Sequence, residues 1–295
     1  MRRVWLGCLV LWSGVGWAEN RYAELPVVRL SAPVVVDGDF ADWDALGVTK
    51  GQRLALSDSE WEAGTVSAPD EDDPPARELL VRAAYHEKHF YLALEWPDAT
   101  MNAVYKPWKL AGEGYRRSRE VDDMLVVRWQ LGDSFNACML SSTRYRTDVW
   151  RWSAGRSNLS GVADDMRHEF ADKPFDKPAR EYEGNKGTIY FVNEPDAGFP
   201  GWQSLPTPKP GAGPVVPSVA KAGDPSGSRA DVAAKGHWKD GVWRVEMSRR
   251  LRTDDSEDVV LEPGVEQVAQ FAVFYAGYRM RKFITAPVRV RLPNG

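Results

Sequence analysis

The feature that most restricts this chain is a recurrence of short β-branched and aromatic runs broken by turn residues, with no sustained 3.6-residue apolar period. A sequence of that kind cannot build a helical bundle. It predicts an all-β fold: a single antiparallel β-sandwich domain with long irregular loops. Residues 79–85 and 90–96 flank His86-Glu87-Lys88-His89 and are expected to form a hairpin. Further strands are expected at 124–131, 135–141, 148–154 and 188–193. Trp238 and residues 242–247 flank Lys239-Asp240-Gly241, where an Asp-Gly pair supplies the positive φ angles of a tight turn. Runs at 267–275 and 287–292 close the domain, and one all-β domain of ~200–250 residues accommodates them all.

Two stretches break the pattern. Between Pro195 and Lys235 the composition turns to Pro, Gly, Ala and Ser, a long excursion that in a compact domain is either functional or unstructured in the isolated protein. Residues 57–76, which include Asp70-Glu71-Asp72-Asp73-Pro74-Pro75, read as a surface loop.

At the N-terminus Arg2 and Arg3 precede an apolar run, 4–17, that falls short of the roughly 20 residues of a membrane span. This is the form of a signal peptide, with Gly16 and Ala18 placed for cleavage after Ala18. Residues 1–18 are therefore expected to be a leader, with Sec export to the periplasm, and 19–295 the mature domain. The charged n-region accounts for the paired arginines without a twin-arginine signal. Losing Arg2 and Arg3 with the leader takes the formal charge from −4 to −6, which argues against nucleic acid as a partner. The leader also removes Cys8 and leaves Cys138 alone, so no internal disulfide is available.

Enzymatic constellations are missing. There is no Ser-His-Asp ordering, HExxH, phosphate-cradling glycine loop or CxxC pair, so the chain is expected not to turn over substrate by itself. CxxCH is also missing, so any haem is held by coordination and packing rather than by thioether bonds.

Several segments carry more specific information. Val35-Val36-Asp37-Gly38-Asp39-Phe40-Ala41-Asp42-Trp43 pairs an Asp-Gly turn with two aromatics that plug back into the core. This opening resembles β-sandwich modules such as the family-nine carbohydrate-binding modules and their haem-binding relatives. Then come Trp96-Pro97-Asp98-Ala99-Thr100, Asp123-Met124-Leu125-Val126-Val127-Arg128-Trp129, a methionine before Asp148-Val149-Trp150-Arg151-Trp152-Ser153-Ala154, and Ala163-Asp164-Asp165. Gly236-His237-Trp238 through Trp243, Arg249-Arg250-Leu251 and Phe271-Ala272-Val273-Phe274 follow. In this order, from about 35 to 292, they resemble the haem-binding domain of ethylbenzene dehydrogenase gamma subunits and related partners of type II DMSO-reductase-family enzymes.

That resemblance implies one non-covalent haem b per chain, ligated by a methionine and a lysine, carrying electrons between a molybdenum–iron–sulfur enzyme and a cytochrome. The partner is then an oxidoreductase or cytochrome. The methionine falls on Met139 and the lysine on Lys282. A thioether suits iron and an amine binds once deprotonated; the plain alternatives are core filling for Met139 and a solvated edge for Lys282. His168, His237 and Met280 are reserve ligands, while His86 and His89 read as exposed turn residues. Strand alternation turns Cys138 to the face opposite Met139, as buried packing. Trp150 and Trp152 share one face, where they wall the haem pocket or fill the core. In the competing reading, a carbohydrate-binding module without haem, they form a sugar-stacking platform. Asp164 and Asp165 read as a structural turn ahead of a calcium site.

Overall fold

The structure is a computed structural model that describes residues 22–58, 77–139, 144–184, 187–276 and 280–294. The expected leader, residues 59–76 and residues 140–141 of the expected strand 135–141 lie outside the described residues.

Two sheets face one another. The larger runs Ala23–Leu25, Val288–Arg291, Glu266–Tyr275, Met124–Leu131, Tyr145–Ser153, Asp164–Ala171, Gly187–Pro195 and Arg180–Gly184, each bonded to the next. Arg281–Ile284 pairs beside Glu266–Tyr275 and in turn holds Ser57–Asp58. The smaller sheet runs Ala233–Lys239, Val242–Arg250, His89–Pro97, Glu78–His86 and Val27–Arg29, with Gln52–Ala55 also on Glu78–His86. Pairing is antiparallel except where Ala23–Leu25 joins Val288–Arg291 and where Val27–Arg29 joins Glu78–His86. Both expected hairpins form, and the Asp240-Gly241 turn has φ of 53° and 78°, as a two-residue turn between right-twisted strands requires.

The space between the sheets is filled by tryptophan. Trp96, Trp129, Trp150 and Trp152 are wholly buried, and Trp243 nearly so. Trp152 meets Trp243 edge-on at 5.1 Å, and Trp129 lies 5.2 Å from Trp150. These rings supply large apolar area with few rotatable bonds, so a core built from them has few alternative packings. A smaller cluster on the outward face of the second sheet seats Phe40 and Trp43, the aromatics of the Asp-Gly opening. Glu246 fixes that opening: one carboxylate oxygen accepts the N–H groups of Asp37 and Gly38, the other accepts Trp43 Nε1–H.

The structure differs from sequence expectation at two elements, and in the 195–235 excursion it shows short pairings where the sequence left a functional and an unstructured stretch both open. Residues 135–139 form an irregular segment instead of a strand, because Asn136 bends the chain locally, its side chain accepting the Cys138 N–H, and its carbonyl accepts from Arg128 rather than a ladder partner. Asp164 and Asp165 open the strand Asp164–Ala171 and do not make a turn. The 195–235 excursion is ordered by short pairings: Trp202–Ser204 with Val219–Lys221, and Val215–Val216 with Trp108–Ala111.

Candidate functional site

Alternation gives the larger sheet two different faces. Trp129, Trp150, Trp152, Phe271 and Val273 point into the inter-sheet core. Their neighbours Val126, Arg128, Val149, Arg151, Gln270, Ala272 and Phe274 point outward and line a cavity of about 270 Å³. The register sets Arg128 opposite Val149 on one side and Gln270 on the other, with Arg151 opposite Val126, so these side chains tile one continuous floor. His168, Phe191 and Asn193, from the next two strands, extend it.

Over this floor the irregular segment ending at Met139 meets the strand Arg281–Ile284. Lys282 Nζ lies 2.9 Å from Met139 Sδ. A second cavity of about 260 Å³ adjoins the first, and Met139, Phe191, Lys282 and Ile284 line both. The sulfur–amine contact therefore stands between two halves of one slot. Burial, reinforced by the Arg128 guanidinium, pushes the Lys282 ammonium down to about 8, so its neutral, lone-pair-bearing form lies within reach of ordinary pH.

The charge balance of the larger cavity is one-sided. Among the described residues it is lined by Arg128, Arg151, Arg180 and Lys282 and by no aspartate or glutamate, in a chain whose acids outnumber its lysines and arginines. His168 is nine-tenths buried in this field, and desolvation together with Arg128, Arg151 and Lys282 holds its imidazole neutral, well below the usual histidine range. It stands edge-on to Phe191 at 4.9 Å, and its Nδ1 has no partner among the described residues.

The slot thus brings together Met139, Lys282, His168 and Met280, the last of them exposed at its edge. Trp150 and Trp152 sit in the core, behind the floor, so of the two places the sequence allows them they occupy the second. Being fully buried, they present no stacking surface to a sugar. His237 is exposed on the smaller sheet, remote from the slot, against the Asp37-Gly38 turn. Cys138 is half-buried and lines the second cavity together with Met139. The opposite-face expectation fails there because alternation applies only within a strand.

Sequence reasoning passed over the cations of the floor. Arg128 and Arg151 lie in strands otherwise rich in apolar residues, and an arginine facing outward from a sheet ordinarily meets water. The available signal was their parity: each occupies the outward register of a central strand, flanked on both sides by further strands.

These features define a class of molecule, an antiparallel β-sandwich with a cationic, sulfur- and amine-bearing slot on the outward face of its larger sheet. The chain matches the ethylbenzene dehydrogenase family over residues 37–281 and belongs to that family. No curated protein matches it. Similar solved structures include a family-nine carbohydrate-binding module from Caldicellulosiruptor kristjanssonii in complex with glucose, 11% identical, covering 91% of this chain and 96% of that one with a TM-score of 0.37. Another is a Bacteroides uniformis protein whose carbohydrate binding is itself a proposal, 12% identical over 90% of each chain with a TM-score of 0.39. Among the described residues no helix is long and apolar enough to cross a membrane.

Proposed function

We propose that this chain is an exported, periplasmic protein that holds one haem b non-covalently and passes electrons as a subunit or partner of a redox enzyme, without turning over substrate itself. The observation that carries this reading is the convergence of Met139 Sδ and Lys282 Nζ, from elements 143 residues apart, at the junction of two cavities. The residues fit the group. A neutral thioether and an amine with a depressed proton affinity are both donors that iron would accept as ligands. Phe191, Phe274, Ile284 and Val126 supply apolar walls for a flat macrocycle, and the cations answer its acidic edge. Bound haem would supply the one-electron centre. The protein positions its two ligand donors, excludes water with apolar walls, and sets the local potential through fixed positive charge. Membership of the ethylbenzene dehydrogenase family supports a redox oxidoreductase or cytochrome as partner.

The test is a visible spectrum, oxidised and dithionite-reduced, of protein exported with haem supplied, alongside Met139→Ala and Lys282→Ala. A Soret band with resolved α and β bands on reduction, altered in each variant, is expected. Well-folded protein that takes up no haem would end this reading.

A further inference from the structure

Arg128 is a buried cation with no anion beside it among the described residues. It is 3% exposed, and its guanidinium donates only to neutral acceptors: Nη1 to Gln270 Oε1 at 2.8 Å, Nη2 to the Asn136 carbonyl at 3.3 Å and to the Tyr145 hydroxyl at 3.1 Å. Its Nε–H is buried without a partner among the described residues. The other buried guanidiniums behave differently. Arg249 is held by Asp148 and Asp165, and Arg156 by Asp122. Arg151, diagonal to Arg128 on the same floor, binds Asp164, but that single carboxylate is shared with Arg229, and Arg151 Nε is also left over.

A buried charge of one sign is costly unless something of the opposite sign enters with it. The cavity has room for such a group, and the described residues that line it contribute none. We propose that Arg128, assisted by Arg151, is a carboxylate-binding station in the floor of the slot, and that the ligand enters with an acidic side group directed inward onto it. This deepens the haem reading and rests on it. The ligand is then a porphyrin carrying free carboxylates, oriented by a charge-assisted pair at the sheet rather than by solvent at the mouth. Within the slot the division of labour is clear: Met139 and Lys282 address the metal, while Arg128 addresses the acid.

The experiment compares haemin with haemin dimethyl ester, which has the same iron and ring and no acidic groups. Full-length mature apoprotein is titrated with each and followed at the Soret band, for wild type, Arg128→Gln and Arg128→Lys. Wild type should bind the diacid about tenfold or more tightly than the diester, a difference typical of a charge-assisted pair in a site of low dielectric. Arg128→Gln should reduce that preference to about threefold or less. Arg128→Lys, which keeps the charge but loses the planar fork stacked on Phe135, Tyr145 and Phe170, should retain an intermediate preference. Equal affinity of wild type for the two compounds overturns the proposal without reference to any variant. So does an undiminished preference in folded Arg128→Gln. Failure to bind either compound instead removes the haem reading and this proposal with it, so the two failures are distinguishable.

Discussion

At the scale of single residues, the core leaves little slack, and Gly236 shows where. It lies in the strand Ala233–Lys239, and a Cβ placed there would stand 2.3 Å from Trp152 Cζ2 and 2.9 Å from Val245 Cγ2. Trp152 cannot retreat. Its ring packs edge-on against Trp96 and Trp243, and its Nε1–H donates to Asn158 Oδ1, which also accepts the Gly236 N–H at 2.8 Å. Asn158 Nδ2 returns a hydrogen bond to the Gly236 carbonyl. One methyl group at this position therefore disturbs both ring packing and a three-way hydrogen bond. Gly236→Ala should destabilise the protein by about 1–3 kcal/mol, the usual range for overpacking. The check is the urea midpoint at constant m-value; an unchanged midpoint would mean that the tryptophan cluster has room to shift.

At the scale of elements, the motifs that stand out in the sequence turn out to be staples of the scaffold, and the slot is built from the less conspicuous residues between them. Asp98 closes the Pro97–Thr100 turn by accepting the Thr100 N–H. Asp122 holds the Gly155 N–H and the Arg156 guanidinium. Asp123 joins three elements, accepting from Asn102 N–H, Trp243 Nε1–H and Ala276 N–H. Alternation and turn chemistry made the strands, both hairpins and the core tryptophans legible, since period and Asp-Gly geometry are local properties. The meeting of Met139 with Lys282, and the solitary charge of Arg128, were not derivable from local pattern. They depend on which strands become neighbours, and resemblance alone nominated the first pair. The failure at 135–139 has the same origin: an apolar run bent by Asn136 looks like a strand until the tertiary acceptor for its carbonyls is known. Burial, with the nearby Asp98 carboxylate, pushes Asp123 up to about 7, so its acceptor role operates at a cost. Asp123→Ala would strand three N–H donors and should cost about 3 kcal/mol or more in urea unfolding. Because Ala276 opens the connection to the strand carrying Lys282, the same variant should also weaken haem uptake, whereas loss of stability with haem affinity intact would separate the staple from the slot.

At the scale of the whole molecule, one arginine clamps the two sheets. Arg249 comes from the smaller sheet, is wholly buried, and lies 4.8 Å over the Trp150 ring. Its Nη1 reaches Asp148 at 2.8 Å and Asp165 at 3.0 Å on the larger sheet, and lies 3.5 Å from Asp258 in the segment leading to the last strands; Nη2 donates to the Val259 carbonyl. Three carboxylates surround one cation, so their mutual repulsion and burial must be relieved by protons. Desolvation, with Asp148 next in size, raises Asp165 well above the carboxylate range, and burial pushes Asp258 up to about 7 despite the opposing pull of Arg249. The sign follows from linkage. An aspartate near 4 when unfolded and near 7 when folded binds more proton in the folded state between those values, so its contribution to stability is greatest below about pH 4 and declines as pH rises through 7. Other groups titrate over the same range, the neutral His168 in the opposite sense, so the wild-type curve alone does not isolate the clamp. The difference between wild type and Asp258→Asn does. Asparagine keeps the size of the side chain and leaves Asp148 and Asp165 to hold Arg249. Wild type should lose about 1–2 kcal/mol relative to this variant between pH 5 and pH 8, part of the 1.36 kcal/mol per unit that a full shift represents, with the two curves parallel above that range. Parallel curves throughout would mean that Asp258 is already ionised at pH 5 and that Arg249 balances all three carboxylates without a proton. A difference that grows with pH would place the clamp among the molecule's strained, charge-crowded sites, and would make mild acidity the condition in which the two sheets are held most firmly together.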